Sequence, residues 1–277
     1  MFRGFYTVAT GMIAQQRRTE LLTNNISNAN TPGFKEDQSS IRSFPDMLLS
    51  SINAKRIPTE KGLIHNMAQP IGTVNTGIYM QDVLANYEQG QLRESDFSTD
   101  FALVDGNLPR NAEGVQGAIL FRLQHESGQG EAYTRNGNFT VDGQGYLTNP
   151  QGLYVLSDTG QRIRVNSDDF RLADDGMIYN ANNQQIARLG VSYAANPAAL
   201  TKQDNGLFRA EANLPSAYNA NGVTFAVQQN FLEGSNVDGA RSMTELMTAY
   251  RAFEANQKIL QAYDRSMEKA VNEIGKV

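Results

Sequence analysis

Both ends of this 277-residue chain carry an apolar stripe that repeats in steps of three and four residues. At the N-terminus the stripe runs through Met1, Phe5, Val8, Met12, Gln15, Thr19, Leu22, Ile26 and Ala29, and only Gln15 and Thr19 interrupt it. Arg17, Arg18 and Glu20 fall on the opposite face. At the C-terminus it runs through Met243, Leu246, Tyr250, Phe253, Gln257, Leu260, Asp264, Met267, Val271 and Ile274. A 3.5-residue period is the mark of helix packing along helix, whereas a helix on a globular core follows 3.6. Glu254 and Lys258 add an i,i+4 pair with the acid on the N-terminal side. Two capping boxes compete for the helix start, Ser235 with Asp238 and Ser242 with Glu245.

The first helix is expected to stop at "NNISNANTPGFK", residues 24–35. Asn28 and Asn30 offer side-chain hydrogen bonds that compete with the helix, and Pro32 disfavours helix at Thr31. Thr31-Pro32-Gly33-Phe34 suits a turn with proline second and glycine third. The middle of the chain is of another class. "GAILFRL" (117–123), "YTRNGNFTVDGQGYLTNPQGLYVL" (133–156), "GQRIRV" (160–165), "GMIYN" (176–180) and "QIARLGVSY" (185–193) read as short strands. Asn136-Gly137, Asp142-Gly143 and Asn180 are the expected positive-φ turn positions. No helical pattern separates these strands, so an antiparallel assembly is expected rather than βαβ units.

The expected organisation is α+β. Paired N- and C-terminal coiled-coil helices accompany a central antiparallel, barrel- or sandwich-like β domain. The divisions are 1–35 for the helix and turn, 36–95 for an extended or irregular arm, 96–232 for the β domain and 235–277 for the C-terminal helix. Within the arm, "SFPDMLLSSI" (43–52) suits a short helix opening at Pro45, and 53–77 reads as linker punctuated by Pro58, Gly62, Pro70 and Gly72. Residues 194–222 read as loop.

Composition narrows the function. A net charge of -5 argues against nucleic acid, which needs a concentrated basic surface. The chain contains no cysteine, so disulfides and thiolate chemistry are excluded. It has no apolar run of membrane-spanning length. A cleaved signal peptide is not expected, because "GFYTVATGMIA" is broken by Gly4, Thr7, Thr10 and Gly11 behind the single charge of Arg3.

Catalytic patterns are missing. His65 and His125 belong to no spaced ligand set. Asp168-Asp169 and Asp174-Asp175-Gly176 lack the spacing of a calcium loop, and Gly128 and Gly130 lack a third spaced glycine. Glu113, Glu126 and Glu131 would be needed for a glycan hydrolase and form no recognisable pair. No cofactor and no metal site is expected. A secreted β-domain binding module on an oligomerising helical stalk is the remaining alternative. It would expose an aromatic cluster such as Tyr146, Tyr154 and Tyr179, which otherwise fill the β core.

Four blocks in order carry a family resemblance: "NNISNANTPGFK", "YEQGQLRESDFSTDFALVDG" (87–106), "AYTRNGNFTVDGQGYLTNPQG" (132–152) and "QQNFLEGSNVDGARSMTELMTAYRAFEANQKILQAYD" (228–264). Together they resemble the axial family of bacterial flagellar rod and hook proteins, distal-rod-like subunits in particular, since hook proteins generally carry larger insertions. Residues 107–137 look longer than the common rod pattern. The resemblance implies a homo-oligomer in a helical tube that transmits torque to the hook. Implied partners are other rod and hook subunits and the flagellar type III export apparatus, with location in the basal body. It also assigns the assembly residues: Phe5, Val8, Met12, Leu22, Ile26, Asn30, Pro32, Gly33 and Phe34 on the N-terminal side. On the C-terminal side they are Met243, Leu246, Tyr250, Phe253, Leu260, Met267 and Val271.

Overall fold

The computed structural model describes residues 2–56, 64–111, 114–125, 130–167 and 169–274. The chain is α+β and divides into two compact units, Met1–Asn24 with Gln38–Val83 and Ala240–Val277, and Asn25–Asp37 with Leu84–Gly239. In the first unit lie most of helix α1 (Phe2–Ser27) and of helix α2 (Gly239–Lys269), which ends in a π-helical turn at Ala270–Ile274. α1 stops inside the Asn-rich stretch, as its sequence demands. α2 starts at Gly239, so Ser242 lies inside the helix, where it is buried, and does not cap it.

The arm expected to be extended or irregular contains strands over much of its described length. β1 (Asp37–Ser43) pairs with β4 (Ile78–Ala85), and β2 (Met47–Arg56) pairs antiparallel with β3 (Ile64–Val74). The helix expected over 43–52 is therefore replaced by β2. Pro70 appeared to forbid a strand because it cannot donate to the ladder. It lies opposite Ser50, where the register shifts between Leu49 and Ser50, and a bulge tolerates the missing N–H. Pro58 and Gly62 lie outside the described residues. Where the start of β2 pairs with the end of β3, Met47, Leu48 and Ile71 are exposed.

Among the described residues the second unit contains fourteen strands. β5 (Leu92–Glu94) and β6 (Phe101–Asp105) precede β7 (Ala118–Gln124) and β8 (Glu131–Thr134). β9 (Thr140–Val141), β10 (Leu147–Thr148), β11 (Phe170–Leu172), β12 (Met177–Asn180) and β13 (Gln185–Arg188) follow. β14 (Val191–Ala194), β15 (Thr201–Lys202), β16 (Leu207–Arg209), β17 (Phe225–Gln229) and β18 (Phe231–Glu233) complete the order. They form one five-stranded sheet, β14-β7-β8-β16-β15, one three-stranded sheet, β11-β12-β13, and the pairs β9-β10, β6-β17 and β5-β18.

Among the described residues no sheet closes on itself, which corrects the barrel expectation. Apart from the seven-residue β7, the strands of this unit have two to five residues and build local ladders too short to wrap around. "GQRIRV" contributes only the isolated bridges Leu156↔Arg162 and Tyr146↔Arg164. "QIARLGVSY" breaks at Gly190 into β13 and β14, which belong to different sheets.

β7 has neighbours on both faces. Ile119, Phe121 and Leu123 enter the main core with Phe101, Phe139, Leu147, Val155 and Ile178, whereas Leu120 joins Tyr133 and Phe208 on the other side. Its unbroken apolar run is the pattern of such a central strand.

Turn chemistry departs from expectation at single residues. The left-handed positions are Gly145 and Asn183, not Gly143 and Asn180. Gly137 is required for a different reason: the space a Cβ would take is filled by the Phe101 carbonyl. Gly143 has open space around it. Gly137→Ala is expected to destabilise the chain by about 1–3 kcal/mol, the scale of core overpacking. Gly143→Ala should stay within about 0.5 kcal/mol, as for an unconstrained surface site. Equal midpoints for the two variants in chemical denaturation would refute the packing account.

Candidate functional site

The turn predicted at Thr31–Phe34 forms. Phe34 N–H donates to Thr31 O at 3.3 Å, and Gly33 adopts φ +69°. Its glycine is needed twice over, because a Cβ there would also fall within 2.6 Å of the Asn136 Cα. Gly33 N–H donates to Glu233 O at 2.8 Å, so the turn is held against the Arg135-Asn136 backbone and the end of β18. Once the turn is seated there, Lys35 has no route to water.

Lys35 Nζ donates to Glu233 Oε1 at 2.7 Å and to Glu88 O at 2.7 Å. Arg135 Nε donates to Glu233 Oε2, and its other nitrogens reach Asp105 Oδ1 at 2.7 Å, Ile119 O at 2.7 Å and Leu103 O at 3.2 Å. Gly90 N–H donates to Glu233 Oε1 at 2.9 Å. Lys35, Arg135 and Glu233 are each no more than 3% exposed. Two cations and two carboxylates thus balance inside the second unit, and none of the described buried side-chain polar atoms lacks a partner.

The electrostatics follow from that geometry. Burial pushes the Glu233 carboxyl up, but Arg135 and Lys35 outweigh burial and hold it below the ordinary carboxylate range. Burial, reinforced by the charge of Arg135, lowers the Lys35 ammonium despite the opposing pull of Glu233. Burial would lower Arg135 as well, and Glu233 with Asp105 reverse the sign.

Side chains around the cluster tie together the segments by which the chain enters and leaves the second unit. Asn236 Oδ1 accepts from Glu36 N–H at 2.7 Å, and its Nδ2 donates to Asn86 O at 2.8 Å and Glu88 O at 3.1 Å. Asn25, fully buried, pairs with both backbone groups of Asp37, at 2.8 and 3.0 Å. Lys202 lies 3.9 Å over the Phe34 ring and bonds Asp37 Oδ2 at 2.8 Å.

In the first unit α1 and α2 meet through small residues. A Cβ on Gly4 would collide with the Tyr263 hydroxyl, and one on Gly11 would come within 3.2 Å of Asn256 Nδ2. As α1 advances by seven residues α2 goes back by seven, so the helices run antiparallel at these contacts. Arg18 and Glu245 form an ion pair at 3.2 Å further along.

Ser242, Leu246, Ala249, Phe253, Asn256, Leu260, Tyr263, Met267 and Ala270 form a covered stripe on α2 that keeps the heptad step, with Glu245 and Ala252 half-buried beside it. Half of the seam therefore differs from the sequence reading. Leu246, Phe253, Leu260 and Met267 are covered, whereas Met243, Tyr250 and Val271 are exposed. The helix is rotated so that small or polar residues occupy the alternate positions. On α1 Leu22 is buried, and Phe5, Val8, Met12 and Ile26 are half-buried. In the turn Gly33 and Phe34 are buried, Pro32 is half-buried and Asn30 is exposed.

Sequence reasoning missed Lys35, Asp105, Arg135 and Glu233, although all four lie in the quoted blocks. The signal was available as one charged residue set among turn or apolar neighbours in each block: "PGFK", "LVDG", "YTRNG" and "NFLEG". Tyr146, Tyr154 and Tyr179 are neither core nor a free cluster; each is half-buried with an arginine over its ring. Among the described residues no group of three or more acidic or histidine side chains is placed to hold a metal ion. No described helix is long and apolar enough to cross a membrane.

Removing one member of the cluster leaves a buried charge uncompensated, so Lys35→Met or Glu233→Gln should cost about 3–5 kcal/mol of stability. Because the folded-state pKa of Glu233 is depressed, its contribution is complete above the ordinary carboxylate value of about 4.3 and is lost as pH falls through the lower folded value. Denaturation midpoints measured across acid pH should therefore fall less steeply for Glu233→Gln than for the parent chain. A parallel fall would refute the assignment.

Comparison with known proteins gives three family matches. Residues 5–35 match the family described as flagella basal body rod protein, residues 114–191 the flagellar hook protein FlgE/F/G D1 domain, and residues 228–273 the flagellar basal body rod FlgEFG protein C-terminal region. Each match contributes one member of the cluster: Lys35, Arg135 and Glu233. Among curated relatives, the flagellar hook-basal body complex protein FlhO of Bacillus subtilis (strain 168) is 42% identical over 100% of both chains. The flagellar basal-body rod protein FlgG of the same organism is 30% identical over 98% of this chain and 99% of its own. FlgF of Caulobacter vibrioides, also a flagellar basal-body rod protein, is 26% identical over 100% of both.

Proposed function

This chain belongs to the flagellar basal-body rod and hook family, and from that premise we propose that it is a structural subunit of the rod that self-assembles through its terminal helices into a torque-transmitting tube. The observation that carries the assembly mechanism is an apolar face left without a partner on α2. Met243, Met247 and Tyr250 are 52%, 51% and 60% exposed and lie at i, i+4 and i+7, one stripe of the helix. Tyr6 and Ile13 are exposed in the same way on α1. Contiguous apolar surface of this kind marks contact with another protein.

The helix pair within one subunit and the contacts between subunits thus use different faces. Leu246, Phe253, Leu260 and Met267, with Phe5, Val8, Met12, Leu22 and Ile26, would hold α1 and α2 together as a coiled coil. Met243, Tyr250 and Val271 would meet neighbouring subunits, and repetition of a contact that does not close into a ring builds a helical tube. Asn30, Pro32, Gly33 and Phe34 would set the direction in which the chain leaves α1. Partners in this reading are further copies, other rod and hook subunits and the type III export apparatus, with export to the basal body without a cleaved leader. A hook subunit of the same family is the alternative. The rod is favoured because relatives named as rod proteins match end to end. The chain acts as a building element in this reading, not as an enzyme.

Deletion of the gene from a motile strain, followed by electron microscopy, tests the role: hooks and filaments should be lost while the membrane-embedded base persists. Normal hooks and swimming would overturn it. Complementation with Met247→Glu/Tyr250→Glu should fail to restore swimming, although the purified variant melts within a few degrees of the parent, as exposed positions require. Full complementation would remove α2's outer stripe from the assembly mechanism.

A further inference from the structure

The second unit carries a ladder of stacked side chains that its fold does not need. Arg162 lies 4.2 Å from the Tyr154 ring, Tyr154 meets Tyr146 edge to face at 5.7 Å, and Arg164 lies 5.7 Å from the Tyr146 ring. The isolated bridges Tyr146↔Arg164 and Leu156↔Arg162 set the order of this stack. Alternation puts the four residues on the outer face, since Leu147, Val155, Ile163 and Val165 between them are buried in the core. Both arginines are exposed. Among the described residues no carboxylate lies within ion-pair distance of either.

A cavity of about 300 Å³ adjoins Arg162. It is lined by Gln124, Glu131, Arg162 and Asn213, with Gly130 and Gly160 beside them. Arg162 Nε donates to Gln124 Oε1 at 2.7 Å, which orients the guanidinium at the cavity edge. Glu131 adds no net charge there, because its Oε2 is held by Arg122 Nε at 3.2 Å and by the Tyr133 hydroxyl at 2.8 Å.

We propose that this face binds an anionic glycan, a saccharide chain bearing carboxylate or phosphate groups. A guanidinium held over an aromatic ring, as those of Arg162 and Arg164 are, keeps its terminal N–H groups available for planar or tetrahedral oxyanions. Two such groups, fixed by tyrosines that lose little freedom on binding, form a preorganised anion site on a chain whose net charge is negative. The ring faces are covered by the arginines, so the tyrosines act as supports and do not stack on sugars. The cavity supplies the other half of the recognition. Amide side chains donate and accept at once, and a carboxylate accepts, which is the set that hydroxyl groups require. Its volume is at the lower limit of ordinary ligand sites and suits a small polar unit. An acidic protein loop would satisfy the arginines but make no use of the amide-lined cavity.

The test is binding of the purified full-length chain to immobilised oligogalacturonate, phosphorylated dextran, neutral dextran and polyglutamate. Binding is expected to one or both anionic saccharides and to weaken with salt. Arg162→Gln/Arg164→Gln should reduce it at least about tenfold, and Asn213→Ala about threefold, with thermal unfolding of the Asn213 variant unchanged. Which saccharide binds separates carboxylate from phosphate recognition. Arg209→Gln/Arg251→Gln, an equal charge change at exposed positions elsewhere, should leave binding intact. Four results would overturn the proposal: no binding to either anionic saccharide, equal binding to neutral dextran, equal loss in the charge control, or polyglutamate binding as tight and indifferent to Asn213→Ala. None of these bears on the rod assignment, which is read from hooks and swimming.

Discussion

A carboxylate buried as deeply as that of Glu233 cannot be tolerated without cations, and the rest of the second unit is arranged around supplying them. Arg135 arrives from the loop after β8 and Lys35 from the turn after α1, so the charge is compensated only when segments from three distant parts of the chain have met. An apolar contact at the same point would tolerate a slipped register, because methyl groups lack direction. The Glu233 site does not, since each carboxylate oxygen has assigned donors and the two cations among them are themselves buried. The cluster therefore selects one register for the N-terminal turn, one for the end of β18 and one for the Arg135 loop.

That requirement explains why the Asn/Pro/Gly stretch is so sharply defined. The question its sequence raises, why a helix should stop so abruptly at Ser27, is answered at Lys35. Lys35 reaches Glu233 because Gly33 lets the backbone lie against Arg135-Asn136, and Gly33 can do so because Pro32 has already set the turn. Asn25 and Asn236 complete the arrangement by bonding the backbone of residues 36–37 and 86–88, where the chain passes between its two units. Directional bonds to buried side chains fix those segments more narrowly than an apolar contact of equal area would.

What the sequence made legible follows from what periodicity can encode. Period gave both terminal helices and their heptad, and turn chemistry gave the end of α1. Period did not give the covered face of α2, because the contact with α1 is made where residues are small. Gly4 and Gly11 contribute nothing to an apolar stripe, yet they decide how close Tyr263 and Asn256 approach. The β2-β3 hairpin was hidden by Pro70, whose bulge position only the pairing reveals. The lack of helices between the strands left barrel and sandwich both open, and the pairing shows that no barrel closes among the described residues. The charge cluster was invisible because each member is ordinary in its own block and the meaning lies in their convergence.

The two units also differ in how far they are finished as single molecules. The second has a continuous apolar core, paired buried charges and turns whose glycines are fixed by close approach, although Leu84 and Phe97 remain exposed. The first keeps Met243, Met247, Tyr250, Met47, Leu48 and Ile71 exposed. Each fully buried residue of this size gains about 1.5–3 kcal/mol, so six of them hold back a driving force as large as a whole domain's stability. In the assembly proposed above, burying those side chains against a neighbouring copy would recover that energy. Association would then draw on the exposed apolar side chains of the first unit and leave the core and the paired charges of the second unchanged.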